Sequence, residues 1–163
     1  MHEFGHYFSA KFFKIKVLEF GFGFPPKLFS YWSSRKKIYF DKNNFDFTEL
    51  EGKTIFVTTS FENNKEFISE YYVNSKESFS SKLENYQVKI DKVENGALLI
   101  RDMQWSFNLL PLGGFVRPFG EDNSKHPDSF YVKNAFQRFI VLVAGVLINL
   151  ILPFFLFFFS SLF

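Results

Sequence analysis

The sequence predicts an α+β membrane protein, helical where it crosses the bilayer, with a β-hairpin region and a small β-rich insert. Three observations carry this expectation. All 36 charged residues lie between Glu3 and Arg138, so the final 25 residues, 139–163, carry none. Tyr86 to Val93 and Met103 to Leu110 alternate apolar and polar residues with the period of half-buried strands. The intervening stretch, 41–102, is polar and charged, yet it contains β-branched and aromatic runs.

Residues 1–16 hold the first helix. His2 to Phe13 is rich in aromatics and free of proline. Lys11, Lys14 and Lys16 crowd its end, where cations suit a helix C-terminus and a cytoplasmic membrane boundary. Such a helix rises only about 20 Å, too short to span a bilayer. It lies in the interface, or an upstream apolar half is missing. Residues 17–40 open with Phe20-Gly21-Phe22-Gly23-Phe24-Pro25-Pro26, which forbids a continuing helix and forces a turn. Lys27 to Trp32 and Lys36 to Phe40 read as short strands on either side of Ser33-Ser34-Arg35.

In the insert, Thr54 to Phe61 is β-branched and aromatic, and Tyr86, Val88 and Ile90 share one face. Asn95-Gly96 supplies a hairpin turn into Ala97 to Ile100. The other reading of this stretch is a partly disordered loop. Residues 103–121 put Trp105, Phe107 and Leu109 on one side and end in Pro111-Leu112-Gly113-Gly114-Phe115. Residues 122–138 read as loop and helix start. The uncharged segment 139–163 covers about 37 Å as a helix, against a hydrocarbon core of about 30 Å, and reads as membrane-spanning. Its position excludes a signal peptide. Lys133 and Arg138 flank it, so the charges at both boundaries place the loop 17–135 on the cytoplasmic side.

Composition narrows the function. A length of 163 residues suits one domain, and 19 basic against 17 acidic residues leave a net charge of +2. That excludes a strongly basic nucleic-acid binder, and no nucleic-acid partner is expected. The absence of cysteine excludes a disulfide scaffold, a thiolate metal site and a cysteine nucleophile. The 27 phenylalanines follow no single period and signal biased composition rather than an aromatic device.

The chemistry sits at the start, in His2-Glu3-Phe4-Gly5-His6, an H-E-x-x-H pattern. Residues four apart share a helix face, so both imidazoles can reach one Zn²⁺. Glu3 lies near that face and can take a proton from a metal-activated water without being a ligand. Gly5 leaves an open surface beside the pair, where a substrate backbone could come close. Without a metal, the same pattern is two ordinary histidines. Glu19, 13 residues after His6, is too near for the second-helix glutamate of soluble zincins. His126, beside Pro127, reads as a surface loop histidine.

HEFGHYFSAKFFKIKVLEFGFGFPPKLF resembles the opening of the site-2 protease family, specifically the bacterial RIP zinc metalloproteases of the RseP type. WSFNLLPLGGFVRPFGED resembles that family's next block, and NAFQRFIVLVAGVLINLIL its following transmembrane helix. The resemblance implies an intramembrane zinc endopeptidase of the inner membrane, multi-pass in full, that cuts single-span membrane proteins among the lipid. It implies His2 and His6 as zinc ligands, Glu3 as catalytic base, and 1–16 as the end of a first transmembrane helix. Segments 20–40 and 105–116 become a membrane-associated β-hairpin element that pairs with a substrate strand. Asn108, Gly113, Gly114 and Asn149 become candidate substrate contacts. Gly145 and Asn149 have a second reading, as helix-packing positions.

The family's third zinc ligand, an aspartate, is expected beyond residue 163, and the apolar residues that precede the motif are missing. The chain therefore reads as a piece of a longer enzyme or a truncated product, binding zinc weakly and inactive alone. The alternative function is a non-catalytic membrane module that binds transmembrane partners.

Overall fold

The structure, a computed structural model, describes residues 1–41, 46–62, 65–73, 85–121 and 124–162. Its elements are α1 (His2–Phe12), β1 (Val17–Tyr39), a 3-10 turn (Thr48–Leu50), β2 (Thr54–Glu62), β3 (Lys65–Tyr72), β4 (Asn85–Glu94), β5 (Ala97–Pro118) and α2 (Ala135–Leu162). Strand dominates, and this corrects the expected fold class. The chain is mostly β-sheet rather than a helical transmembrane protein with a β insert. Among the described residues it has two α-helices, and α2 alone is long and apolar enough to cross a membrane. The 11 residues of α1 rise about 16 Å.

The physical reason lies in the segments read as separate short strands. They belong to two long ones, β1 of 23 residues and β5 of 22. Each doubles back, β1 around Gly23–Pro26 and β5 around Pro111–Gly113, and the two hairpins interleave. Phe107 pairs with Phe22 on one side and Phe29 on the other, while Phe20 lies between Trp105 and Val116. Rings stack along the seam, with Phe107 4.8 Å from Phe22 and 4.5 Å from Phe29 between centroids.

The far ends of β1 and β5 join β2, β3 and β4 in a closed barrel of order β1-β3-β2-β4-β5. Period-two patterning fills it. Ile55 and Val57 from β2, Tyr86, Val88 and Ile90 from β4, Ile38 from β1, and Leu98 and Ile100 from β5 share one core, each at most 2% exposed. The core thus draws on β1 and β5 as well as on 41–102. The ring closes where β1 meets β3 in parallel at Tyr39 and Phe67.

A buried carboxylate ties this barrel to the rest of the chain. Glu66 on β3 accepts hydrogen bonds from Thr59 Oγ1 (2.8 Å) and Tyr86 OH (2.7 Å). Lys36 Nζ lies 2.5 Å away and His126 Nε2 3.3 Å. Lys16, just past α1, sits 3.8 Å from the same carboxylate and 3.0 Å from Asp102. His126 is therefore buried, not the surface histidine its proline neighbour suggests. The loop folds inward because the Asp128 N–H donates to His126 Nδ1 (3.1 Å), while the Asp128 carbonyl accepts from the Lys16 N–H (2.9 Å). Burial would raise the Glu66 carboxyl, but His126, Lys16 and Lys36 outweigh it and hold it far below the usual carboxylate range. Burial pulls the Lys16 ammonium below its ordinary value, against the attraction of Asp102 and Glu66.

Glu66→Ala leaves the buried Lys16 and the half-buried Lys36 short of a counter-charge and is expected to cost about 3–5 kcal/mol in thermal or denaturant unfolding of the chain in detergent. Glu66 titrates below its ordinary 4.5 when folded, so its contribution is complete above that pH and is lost as the pH falls further. The variant's unfolding curve is expected to lack that acid-side slope.

Candidate active site

The helix that carries His2, Glu3 and His6 is pinned at its C-terminal end. Lys14 takes a left-handed conformation (φ 54°), the Ile15 N–H reaches back to the Ala10 carbonyl (2.8 Å), and the Lys14 N–H reaches Lys11 (3.1 Å). This is a Schellman stop, and its apolar contact is made by Ala10 and Ile15, each 1% exposed. The chain leaves directly into β1, whose Val17 and Phe20 pack with Ala10, Met103 and Val141. Thus α1 is seated on the interleaved sheet and against α2. The start of α2 is set by a reciprocal capping box: Asn134 Oδ1 accepts from the Gln137 N–H (2.8 Å), and Gln137 Oε1 accepts from the Asn134 N–H (3.2 Å).

The two helices touch backbone to backbone where each has a glycine. A Cβ on Gly5 would fall 2.4 Å from the Ala144 carbonyl oxygen. A Cβ on Gly145 would fall 2.5 Å from His6 Nε2 and 2.8 Å from His2 Nε2. The surface at Gly5, expected to be open to substrate, is filled by α2, and both imidazole tips rest over Gly145.

The histidines converge. His2 Nε2 and His6 Nε2 lie 3.0 Å apart, with the rings edge-on and their centroids 4.7 Å apart. His6 Nδ1 donates to the Val141 carbonyl (2.7 Å). Asn149 Nδ2 stands 3.5 Å from His2 Nδ1. Two imidazole nitrogens on one tetrahedral zinc are about 3.3 Å apart, so the pair has the spacing to chelate such an ion. Among the described residues no group of three His, Cys, Asp or Glu gathers around a common point.

A cavity of about 580 Å³ opens beside His6, lined by Glu3, His6, Gly114, Phe115, Val116 and Val141 among others. The Glu3 side chain approaches the strand itself, where a Cβ on Gly114 would meet Glu3 Cγ at 3.2 Å. Of the candidate site residues, His2, His6 and Asn149 are brought together, and Glu3 and Gly114 share the cavity wall. Asn108 and Gly113 do not line it. The Asn108 amide donates to the Gly23 carbonyl (3.0 Å), and Gly113 sits in the β5 bend at φ 136° against the Phe24 ring. Sequence reasoning missed the Val141 carbonyl, which carries no side-chain signal, and the contact of Gly5 with Ala144. The available signal was one glycine inside each helix, at positions where glycine is costly.

The model of Peptidase family M50 matches residues 1–40 and 80–163. The chain belongs to that family, the site-2 proteases. It is similar to proteins that each bear the name "Putative zinc metalloprotease". One is from Thermotoga maritima (26% identical, over 96% of this chain and 19% of that protein). Another is from Rickettsia conorii (30% identical, over 48% and 24%) and a third from Fusobacterium nucleatum (26% identical, over 99% and 28%). The chain spans about a fifth to just over a quarter of the length of these curated relatives. The family model skips 41–79, but two of the relatives align through that stretch.

Gly5→Ala is expected to push α1 from α2 and to lower stability by about 1–3 kcal/mol, the usual cost of overpacking a tight contact. Thermal unfolding of the variant beside the unmodified chain measures it.

Proposed function

We propose that the chain carries part of the active centre of an intramembrane zinc endopeptidase, with His2 and His6 as ligands and Glu3 as general base. The convergence of two Nε2 atoms over a glycine, with His6 on the wall of a cavity that Glu3 also lines, is the observation that carries this reading. Zinc bound there would act as a Lewis acid and make a water nucleophilic enough to attack a peptide carbonyl. Glu3 takes the proton that this water must lose and can deliver it to the departing amine.

The substrate, in this proposal, is a single-span membrane protein whose helix has opened locally. Gly114, Phe115 and Val116 form a strand segment on the cavity wall, paired with β1 on one side. An extended peptide laid along that wall would find main-chain partners that lipid does not offer. Seating the site at the bilayer is supported by two features. The outward surface of α2 is apolar along its length, with Leu150, Phe154 and Phe157 over 70% exposed. The bends of β1 and β5 expose Phe24, Leu28, Phe29, Leu109, Leu110 and Leu112. The charged barrel then lies on the cytoplasmic side of the inner membrane.

Glu3→Gln in the full-length protein tests the reading. Cleavage of a membrane-anchored substrate is expected to fall by at least about 10²-fold, the scale of a lost general base. Unchanged cleavage would defeat the assignment, and no cleavage by the unmodified protein would favour a module that only binds its partners.

A further inference from the structure

Lys16, Lys27, Lys36 and Arg101 each stand 2.5–3.0 Å from a carboxylate. Lys11, Lys14, Lys133 and Arg138 do not, and none of the four enters an ion pair among the described residues. Lys11 lies over the Tyr7 ring and Arg138 over the Tyr131 ring, each 5.9 Å from the centroid, and Lys133 Nζ donates to the Pro127 carbonyl (2.8 Å). Counter-charge is missing from the sequence around them as well, because residues 4–18 and 129–163 contain no Asp or Glu.

The four cations belong to one end of the helix pair. α1 and α2 run antiparallel, since His6 bonds the Val141 carbonyl while His2, a turn earlier, lies 3.5 Å from Asn149, two turns later. Ala10 and Val141 share an apolar cluster, so Lys11 and Arg138 each lie within a turn of the same contact. The Lys16 N–H donates to the Asp128 carbonyl (2.9 Å), which draws the stretch that holds Lys14 to the stretch that leads into Lys133.

The bordering surface is apolar. Phe12, Phe136 and Phe139 are 80%, 70% and 60% exposed. Unmatched cations beside exposed phenylalanines fit a ligand that is anionic at one end and apolar at the other. A phospholipid of net negative charge has both parts, and each Lys or Arg near such a surface strengthens the attraction about fivefold. An acidic protein would satisfy the cations but not the phenylalanines.

We propose that Lys11, Lys14, Lys133 and Arg138 retain anionic phospholipid headgroups at the junction of α1 and α2. The inference rests on the bilayer seating above and is independent of the zinc chemistry.

The test uses the full-length protein extracted in neutral detergent and titrated with phosphatidylglycerol or phosphatidylcholine of equal chain length, with bound lipid counted by native mass spectrometry. The unmodified protein is expected to hold phosphatidylglycerol at least about tenfold more tightly, the scale of two or more such cations acting together. Glutamine at all four positions is expected to remove at least one tightly held phosphatidylglycerol from the count. Arginine at Lys11, Lys14 and Lys133 is expected to keep the count, as is Lys53→Gln with Lys92→Gln on the barrel. An unchanged count in the four-glutamine variant, or an equal loss in the arginine or barrel variant, would overturn the site. Displacement of the lipid by millimolar inorganic phosphate would assign the face to a free anion and overturn it equally. Equal affinity for the two lipids in a membrane-extracted protein would overturn this inference alone, whereas release of the full-length protein from cells without detergent would overturn the bilayer seating as well.

Discussion

The backbone contact between α1 and α2 governs the geometry of the whole site. Gly5 and Gly145 put no side chain between the two helices, so main-chain atoms of Gly5, Ala144 and Gly145 meet directly at the crossing. That closeness puts the Val141 carbonyl within reach of His6 and leaves the ring tips only a glycine to rest on. A methyl group at either glycine would move both rings at once. The conformational cost of glycine inside a helix is tolerated here because the packing could not form otherwise.

The rest of the fold keeps that crossing in register. Lys16 joins the end of α1 to Asp102 on β5 and to Glu66 on β3, and its backbone is hydrogen-bonded to Asp128 and Phe119. The barrel is thus anchored to the helix bearing the histidines through buried charges rather than through apolar contact alone. Such networks fix one geometry because any displacement strands an ion in a low-dielectric interior. Tyr86 adds to the cluster, its ring lying 3.5 Å from the Lys16 ammonium while its hydroxyl serves Glu66.

Much of the site was legible in the sequence because it is local. His2, Glu3 and His6 stand out as candidates by their spacing, and Asn149 by the family resemblance of its helix. The strand rhythm of Tyr86 to Ile90 was legible for the same reason. What was hidden is non-local. Nothing in the order of residues says that Phe20 sits between Trp105 and Val116, or that a polar insert closes a barrel with both its flanks. His126 looked exposed because proline and aspartate beside it are loop residues, but the carboxylate it packs against, Glu66, is 60 positions away in the chain. The helical fold class was overestimated because an apolar span is conspicuous, whereas strands with outward-facing apolar residues show no clean alternation.

The interleaving of β1 and β5 has a consequence for how the molecule is made. Val17–Tyr39 leaves the ribosome before Ala97–Pro118, and among the described residues its early half pairs with that later strand. Contacts of such sequence separation are slow to form, because the loop between them must be closed first. In the finished fold the barrel strands hold the far ends of β1 and β5 together. The histidine helix is therefore synthesised early and completed late: its sheet support waits for β5, and the glycine beneath its imidazoles waits for α2.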